Sequence, residues 1–294
     1  MLSENRPFHP APSKPKITLP SGACDAHCHV FGPAHAFPFA PERTYTPADA
    51  PKEMLFALHD MLGIERSVLV QASCHGTDNS AMLDAIAASQ GRCRGVAMVD
   101  RTVSDEELER LHEGGVRGVR FNFVSHLGKD ADIGALRLIA ARIAPLGWHA
   151  VVHFDANRLK ALAPVLKSLD LTMVIDHMGR VDASQGLEQA AFGMLLDLME
   201  DERFWVKVCG AERISRAGPP FHDAVPFARA LTRRFPGRVL WGTDWPHPNI
   251  GKNMPDDGML VDLLAEIAPD PPVLRMLLVD NPTRLYWPET TAPA

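Results

Sequence analysis

Short apolar runs alternate with longer amphipathic stretches along this chain. Runs such as Ser67-Val68-Leu69-Val70-Gln71 are nearly continuous in aliphatic residues, which is typical of parallel strands that are buried on both faces. Turn-forming residues separate the runs from one another. The pattern predicts strands over residues 23–30, 66–72, 94–99, 116–123, 148–154, 171–177, 204–209 and 238–243.

The intervals between these runs carry apolar residues at helical spacing. Helices are predicted over residues 82–90, 105–112, 136–144, 159–168, 192–199 and 221–235. Strands that alternate with helices are typical of a parallel α/β architecture. Eight such units favour a closed (β/α)8 barrel of the TIM type over an open doubly wound sheet. No Gly-x-Gly-x-x-Gly follows the first strand to support the open sheet.

Composition and charge narrow the possible functions. The 294 residues are 46% hydrophobic, and we expect an N-terminal arm over residues 1–20 and one barrel domain over residues 21–294. The net charge of −6 argues against nucleic acid as a partner. The chain lacks both an apolar run long enough to span a membrane and a signal peptide, and its five cysteines have no disulfide or metal spacing. These features predict a cytoplasmic protein and leave its oligomeric state open.

Polar side chains stand where the predicted strands end, and chemistry in a barrel lies at the carboxyl ends of its strands. His27 and His29 are two residues apart, so their side chains project to the same face. Later strands end in further polar residues, namely Arg120, Asn122, His153, His177 and Asp244. Because these ends meet at one mouth, we predict a catalytic or metal site there.

Neutral imidazoles and a carboxylate are ligands that suit Zn²⁺ or a similar divalent ion. We therefore predict one such ion, held by His27, His29, His153 and Asp244, and no organic cofactor. The ion would lower the pKa of a bound water, and Asp244 could accept the proton of that water.

Other residues near the mouth receive plainer interpretations. His75 and His247 are expected to pack or to support the site rather than to bind a metal. The acids Asp256 and Asp257 are interpreted as solvated charges at a helix start. The long loop over residues 31–50 is expected to cover the mouth as a lid.

Five segments carry a family resemblance, and they cover residues 25–33, 71–79, 118–123, 175–180 and 241–248. They resemble the amidohydrolase superfamily of (β/α)8-barrel hydrolases. Within it they are most similar to the lactonases of 2-pyrone-4,6-dicarboxylate and of 4-sulfomuconolactone. Both kinds act on unsaturated, doubly anionic lactones from the breakdown of aromatic compounds. The resemblance therefore implies a carboxylic ester hydrolase with a small anionic lactone as substrate.

The resemblance also implies a role for each matching residue. His27 and His29 would flank the reacting carbonyl or its ion, and His177 would polarise or orient that carbonyl. Asp244 would be the general base that activates water. The residues implied to bind substrate are Arg120, Arg213, Tyr45, Ser73, Thr77, Asn122 and His126.

Two positions depart from the pyrone dicarboxylate lactonases, which work without a metal. They have Tyr at the position of His153 and Arg at the position of His126. His153 in place of Tyr restores a ligand set that metal-bearing members use. His126 in place of Arg weakens the binding of one substrate carboxylate. Together they favour a metal-dependent lactonase, with 4-sulfomuconolactone as the best single candidate.

Three alternatives stay open. The first is a metal-independent lactonase of 2-pyrone-4,6-dicarboxylate, in which His153 only hydrogen-bonds the substrate. The second is a metal-dependent decarboxylase, because some superfamily members with comparable ligands remove CO₂ from unsaturated acids. The third is a non-catalytic binding barrel, which would not need the whole set of histidines and Asp244.

Overall fold

Eight parallel strands form the central sheet of this computed structural model, which describes residues 3–4, 8–127 and 131–290. Each strand pairs with the next one along the chain. The strands are β1 Cys24–Cys28, β2 Arg66–Val70, β3 Cys93–Ala97, β4 Val116–Phe123, β5 His149–Phe154, β6 Met173–Ile175, β7 Phe204–Lys207 and β8 Val239–Leu240. All eight predicted strands are confirmed, although β6 and β8 are shorter than expected.

Main-chain hydrogen bonds between the first strand and the segment after the last one bring the sheet to near closure. The amide of Ala26 donates to the carbonyl of Trp241 at 2.8 Å, and the amide of Asp244 donates to the carbonyl of His27 at 2.7 Å. The (β/α)8 architecture is confirmed. Closure also places His27 beside Asp244, although 217 positions separate them in the chain.

Helices surround the barrel, and six of them overlap the segments that the periodicity predicts. They are α1 Lys52–Leu62, α2 Ser80–Ala88, α3 Asp105–Glu113, α4 Ile133–Ile143, α5 Leu159–Lys167, α6 Ala190–Met199, α7 Ala211–Ile214, α8 Val225–Arg234, α9 Asp257–Asp262, α10 Leu264–Ile267, α11 Pro271–Arg275 and α12 Asn281–Tyr286. Within the described ranges, no helix is long and apolar enough to cross a membrane.

Local sequence signals explain where several helices begin and end. Ser104 caps α3 by accepting a hydrogen bond from the amide of Glu107, and Asp132 caps α4 in the same way. Gly63 ends α1 with φ 78°, a left-handed conformation that glycine adopts without steric cost.

The apolar residues form two layers. The larger layer lies between strands and helices and includes Cys28, whereas a smaller cluster inside the barrel includes Ala26, Val151 and Leu240. Trp287 belongs to the inner cluster and stacks under Arg66, with the guanidinium carbon 4.9 Å from the ring centre. Because Arg66 begins β2, Trp287 marks the amino ends of the strands, opposite the mouth.

Two segments outside the barrel units pack against it. The loop over residues 31–50 is pinned at its base by paired hydrogen bonds between Phe31 and Ala50, and its Gly32 amide donates to His75. In the predicted N-terminal arm, Ser13 donates to Asp256 at the start of α9. Residues 1–2 and 5–7 of that arm lie outside the described residues.

Candidate active site

Three imidazoles converge on one carboxylate oxygen at the mouth. The Nε2 atoms of His29, His27 and His177 lie 3.2, 3.5 and 4.0 Å from Oδ1 of Asp244. All four side chains are buried. The sequence analysis expected these residues to meet, and the structure brings them together.

An irregularity in β1 accompanies the placement of the first two histidines. The register of β1 against β2 shifts between Asp25 and Cys28. Ala26 packs inside the barrel and Cys28 packs outside it, while His27 and His29 both face Asp244. Asp25 stabilises this geometry by accepting hydrogen bonds from the amides of His27 and Thr243 at 3.0 and 3.1 Å.

A left-handed turn after β6 carries His177. Residues 177–180 all have positive φ, from 49° to 63°, so β6 ends earlier than predicted and His177 turns into the mouth. A Cβ atom on Gly210 would lie 2.5 Å from Nδ1 of His177, so this close approach requires glycine. The Cys209 thiol lies 3.3 Å from the same nitrogen.

Asp244 divides its two oxygens between the histidines and an arginine. Oδ1 faces the three Nε2 atoms, and Oδ2 accepts a hydrogen bond from Nε of Arg213. Burial raises the pKa of Asp244, but the charges of Arg213 and His177 outweigh it and hold that pKa well below its ordinary value. Asp244 is therefore ionised at neutral pH. Arg213 is predicted to bind an anionic group of the substrate, and in the structure its guanidinium donates to the Asp244 carboxylate.

Asp176 joins three cationic or titratable side chains from three strands. Its Oδ1 lies 3.2 Å from Nδ1 of His27 and 3.3 Å from Nζ of Lys207, and its Oδ2 accepts from Arg120 at 3.0 Å. Burial raises the pKa of Asp176, but these neighbours hold it well below its usual range.

The sequence analysis missed both Asp176 and Lys207. A lysine inside the apolar run of β7, and an acid directly before His177, were the available signals. Neither signal identifies the partner, because the pairing depends on the parallel register of the neighbouring strands β6 and β7.

His153 lies beside the three imidazoles that converge on Asp244 and is not one of them. Its Nδ1 is 3.2 Å from both Nη2 of Arg120 and Oδ1 of Asn122, and its Nε2 is buried without a hydrogen-bond partner among the described residues. Among the described residues, one set of ligand atoms that lie within 4.8 Å of one another comes from His27, His177 and Asp244 and does not include His153. Two other sets meet the same distance, and they come from Glu212, Asp244 and His247 and from Asp25, Cys28 and His59. A ligand role for His153 stays a prediction.

The donor chemistry of the mouth fits a divalent cation. Nδ1 of His29 donates to the carbonyl of Val70 at 2.7 Å, so the Nε2 of a neutral His29 carries a lone pair toward Asp244. Nε2 of His27 is buried without a hydrogen-bond partner among the described residues. It carries a lone pair when Nδ1 donates to Asp176, and a hydrogen when Nδ1 accepts from Lys207. Burial and the Lys207 ammonium lower the pKa of His27 to about 3, which keeps its imidazole neutral. Lone pairs that face a carboxylate oxygen favour a cation or a proton between them.

Cationic and neutral polar groups surround this centre. Arg180 lies near the rim of the mouth and forms a salt bridge with Asp155 at 3.2 Å. Arg180 is not among the predicted site residues. Partial desolvation and the nearby arginines lower the pKa of His126 to about 4, so His126 is uncharged at neutral pH. A cavity of about 370 Å³ opens beside Arg120 and Asn122.

The remaining predicted pocket residues differ in how far they are buried. Ser73 lines that cavity, and Tyr45 is buried with a hydrogen bond to Ser73. Burial raises the pKa of Tyr45 well above its ordinary value, so the phenol stays protonated. Thr77, in contrast, is an exposed residue.

The sequence matches the Amidohydrolase family profile over residues 24–287. The chain belongs to the amidohydrolase family. It is 54% identical to a Comamonas testosteroni protein named 2-pyrone-4,6-dicarbaxylate hydrolase, and the match covers 95% of this chain and 94% of the relative. It is 43% identical to a 4-sulfomuconolactone hydrolase of Rhizobium radiobacter, with 92% and 91% covered.

A solved structure of Agrobacterium tumefaciens ATU3138 superimposes with a TM-score of 0.82 at 28% identity, covering 95% of this chain and 100% of that one. These comparisons confirm the expected superfamily, the barrel fold and the assignment as a hydrolase. They agree with the predicted lactonase branch, although the relative of higher identity is not the one that the sequence analysis placed first.

Proposed function

We propose that this hydrolase is a lactonase that opens a small, anionic, unsaturated lactone of aromatic catabolism. The observation that carries the proposal is the convergence of the Nε2 atoms of His27, His29 and His177 on Oδ1 of the ionised Asp244. Arg120 and Arg180 lie beside this centre, where they can bind negatively charged substituents. The names of the two relatives support the same class of substrate.

The reaction adds one water across the ester bond of the ring. Asp244 Oδ1 accepts a proton from the water, while the water oxygen forms a bond to the lactone carbonyl carbon. The bond from that carbon to the ring oxygen then breaks, and the proton returns to the released oxygen. Arg213 orients the base by holding Oδ2, so Oδ1 is the oxygen that faces the histidines.

Hydrogen-bond donors would stabilise the carbonyl oxygen as negative charge develops there. Nδ1 of His153 lies 3.2 Å from both a donor, Nη2 of Arg120, and an acceptor, Oδ1 of Asn122. In the tautomer in which Arg120 donates to Nδ1, the imidazole hydrogen is on Nε2, whereas in the other tautomer Nε2 carries the lone pair that a metal ion would need. Nε2 is buried without a partner among the described residues, so in the first of these tautomers it is free to donate to the substrate. Donors of this kind contribute about 3–4 kcal/mol to catalysis.

A divalent ion would be held by His27, His29, His177 and Asp244, and His153 is the further candidate ligand. When bound, it would polarise the carbonyl and lower the pKa of a coordinated water. His177 enters this set in place of His153, because its Nε2 belongs to the group of mutually close ligand atoms.

Between the two named substrates, we place 2-pyrone-4,6-dicarboxylate first and 4-sulfomuconolactone second. The order follows the identities of 54% and 43%, and it reverses the preference drawn from His153 and His126 alone. A neutral His126 leaves the guanidinium groups of Arg120, Arg180 and Arg213 near the centre, beside the buried Lys207, and each of the three already has a carboxylate partner. Each guanidinium keeps further N–H donors for an anionic group.

The test is a side-by-side assay of both lactones with purified protein, in which metal content is measured on the same sample. We expect ring opening with the gain of one water by mass spectrometry, and incorporation of ¹⁸O from labelled water into the new carboxylate. Loss of CO₂ would instead identify a decarboxylase. Turnover of neither lactone would contradict the proposal. Activity that survives complete removal of metal would assign the metal-independent mechanism.

A further inference from the structure

A row of buried ionic side chains leads from α9 to the proposed catalytic base. Nε2 of His247 lies 3.1 Å from Oδ1 of Asp257, and its Nδ1 lies 3.4 Å from Oε1 of Glu212. The same Oε1 is 3.8 Å from Nε of Arg213, which donates to Asp244. The charges alternate in sign along the row, and the side chains are at most 6% exposed.

Hydrogen-bond geometry defines the charge on His247. Both ring nitrogens face carboxylate oxygens, and an imidazole can donate from both nitrogens only as an imidazolium. Asp257 and Glu212 accordingly raise the pKa of His247 to about 10 despite its burial. The second oxygens of Asp257 and Glu212 are buried without a hydrogen-bond partner among the described residues. His247 is therefore an important cation for both carboxylates, and Glu212 has Arg213 as a second one.

We propose that His247 and Asp257 are positioning residues, which hold Glu212 and thereby keep the Arg213 guanidinium on Oδ2 of Asp244. His247 also adjoins Asp244 directly, because its amide donates to the Asp244 carbonyl at 2.8 Å and ligand atoms of the two side chains lie within 4.8 Å of each other. The main-chain bond does not depend on the identity of the side chain at position 247, and the proposed effect of the imidazolium runs through Glu212 and Arg213. Arg213 itself has three anchors: the Asp244 carboxylate, the Glu212 carboxylate and the Pro248 carbonyl, which accepts from Nη1 at 3.1 Å.

Competition between two acids explains why the imidazolium matters. Glu212 has two cationic neighbours, His247 and Arg213, and Asp244 shares only the second of them. If His247 loses its charge, Glu212 is left as a poorly compensated buried carboxylate. It would then draw the guanidinium away from Asp244, and the base would lose its fixed orientation.

A rescue experiment tests the positioning role of His247. His247→Gln should lower kcat about 10- to 100-fold with KM changed less than threefold, because a small displacement of a reacting group has an effect of this size. Adding Glu212→Gln to that variant removes the competing charge. The double variant should therefore recover most of the lost kcat, whereas two independent structural defects would add. Asp257→Asn should show a smaller loss in the same direction.

The matched control is His222→Gln, which removes an exposed imidazole that lies 3.0 Å from Glu266 on the surface. It should leave kcat and KM unchanged. All kinetic values are measured with whichever lactone the wild-type protein hydrolyses.

A second measurement does not depend on activity. The ¹H–¹⁵N signal of the Arg213 Nε–H, assigned by its loss in Arg213→Lys, should shift in His247→Gln and return toward the wild-type position in the double variant. An unmoved signal in His247→Gln, unchanged kcat in that variant, or a double variant worse than the single one would each overturn the inference. If the wild type hydrolyses neither lactone, the proposed function fails while this signal still decides the inference.

Discussion

The interior of the barrel divides into two regions of opposite chemistry. Near the amino ends of the strands, the inner cluster packs Val151, Val174, Leu240 and Trp287 with almost no charge. At the mouth, the same strands and the loops that follow them bury Asp176 and its cationic partners. The change takes place within a few residues along each strand.

The difference teaches how stability and chemistry are distributed in this fold. Burial of apolar area contributes about 25 cal/mol per Å², so the inner cluster stabilises the barrel directly. Buried ion pairs contribute little net stability, because desolvation offsets their attraction, but removal of one partner is strongly destabilising. The charged side chains at the mouth therefore depend on one another for their positions, whereas the apolar cluster supplies the net stability of the barrel.

The largest effect on the mouth is expected from Asp244→Asn. The amide keeps the shape of the side chain but cannot accept a proton from water, so kcat should fall about 10²- to 10⁴-fold while substrate still binds. Steady-state kinetics and equilibrium binding of the lactone measure the two quantities separately. Near-normal kcat in this variant would remove Asp244 from the mechanism.

Asp176→Asn tests whether the charges at the mouth depend on one another. The variant leaves Lys207 and Arg120 without their shared carboxylate, and the free energy of unfolding should fall by about 3–5 kcal/mol. Because Asp176 also contacts His27, kcat of the folded variant should fall as well. Urea unfolding and kinetics measure both.

The control for this variant is Asp182→Asn, since Asp182 pairs with Arg216 where the arginine is exposed. Its free energy of unfolding should change by less than about 1 kcal/mol. Equal losses in the two variants would contradict the view that burial makes the Asp176 pairs critical.

Leu240→Ala sharpens the comparison from the apolar side. The cavity left in the inner cluster should lower the free energy of unfolding by about 2–5 kcal/mol. The folded variant should retain kcat and KM within about threefold, because the side chain belongs to the apolar inner cluster and not to the hydrogen-bonded groups of the mouth. A large loss of kcat would show that the two regions are coupled.

The smallest expected effect concerns His149, the titratable residue buried beside Tyr286. Burial and Lys207 lower the pKa of His149 to about 3. Below about pH 6.5 the unfolded chain binds a proton that the folded protein does not, so this residue lowers stability as the pH falls from 6.5 toward 3.

The slope from this one group is at most about 1.4 kcal/mol per pH unit. His149→Leu should therefore flatten the pH dependence of urea unfolding between pH 7 and pH 5. An identical slope in wild type and variant would contradict the assignment of a depressed pKa.

Sequence reasoning located the strands and most of the residues at the mouth, because both depend on local pattern. The prediction for Asp257 was wrong: it is buried against His247 instead of solvated at a helix start. Its neighbour Asp256 does cap α9, by accepting from the amides of Gly258 and Met259. Two adjacent acids in one helix start thus have opposite surroundings, which no local pattern distinguishes.

The turn at His177 shows a second limit. Four successive residues with positive φ end β6 early, and only one of them, Gly179, is a glycine. Nothing in the periodicity predicts this turn, yet it aims His177 at Asp244 and sends Arg180 toward the rim. The space that His177 occupies is provided by Gly210, from another strand end.

The alternation of apolar runs and amphipathic stretches by itself determined the barrel, since side-chain periodicity is a local property of strands and helices. The spacing of His27 and His29, and the polar residues at later strand ends, determined where the chemistry lies. Only the tertiary structure decided which charges pair: Lys207 with Asp176, Arg213 with Asp244, and His247 with both Asp257 and Glu212. The physical reason is range, because these interactions act over less than about 4 Å between atoms that only the packing of neighbouring strands and loops brings together.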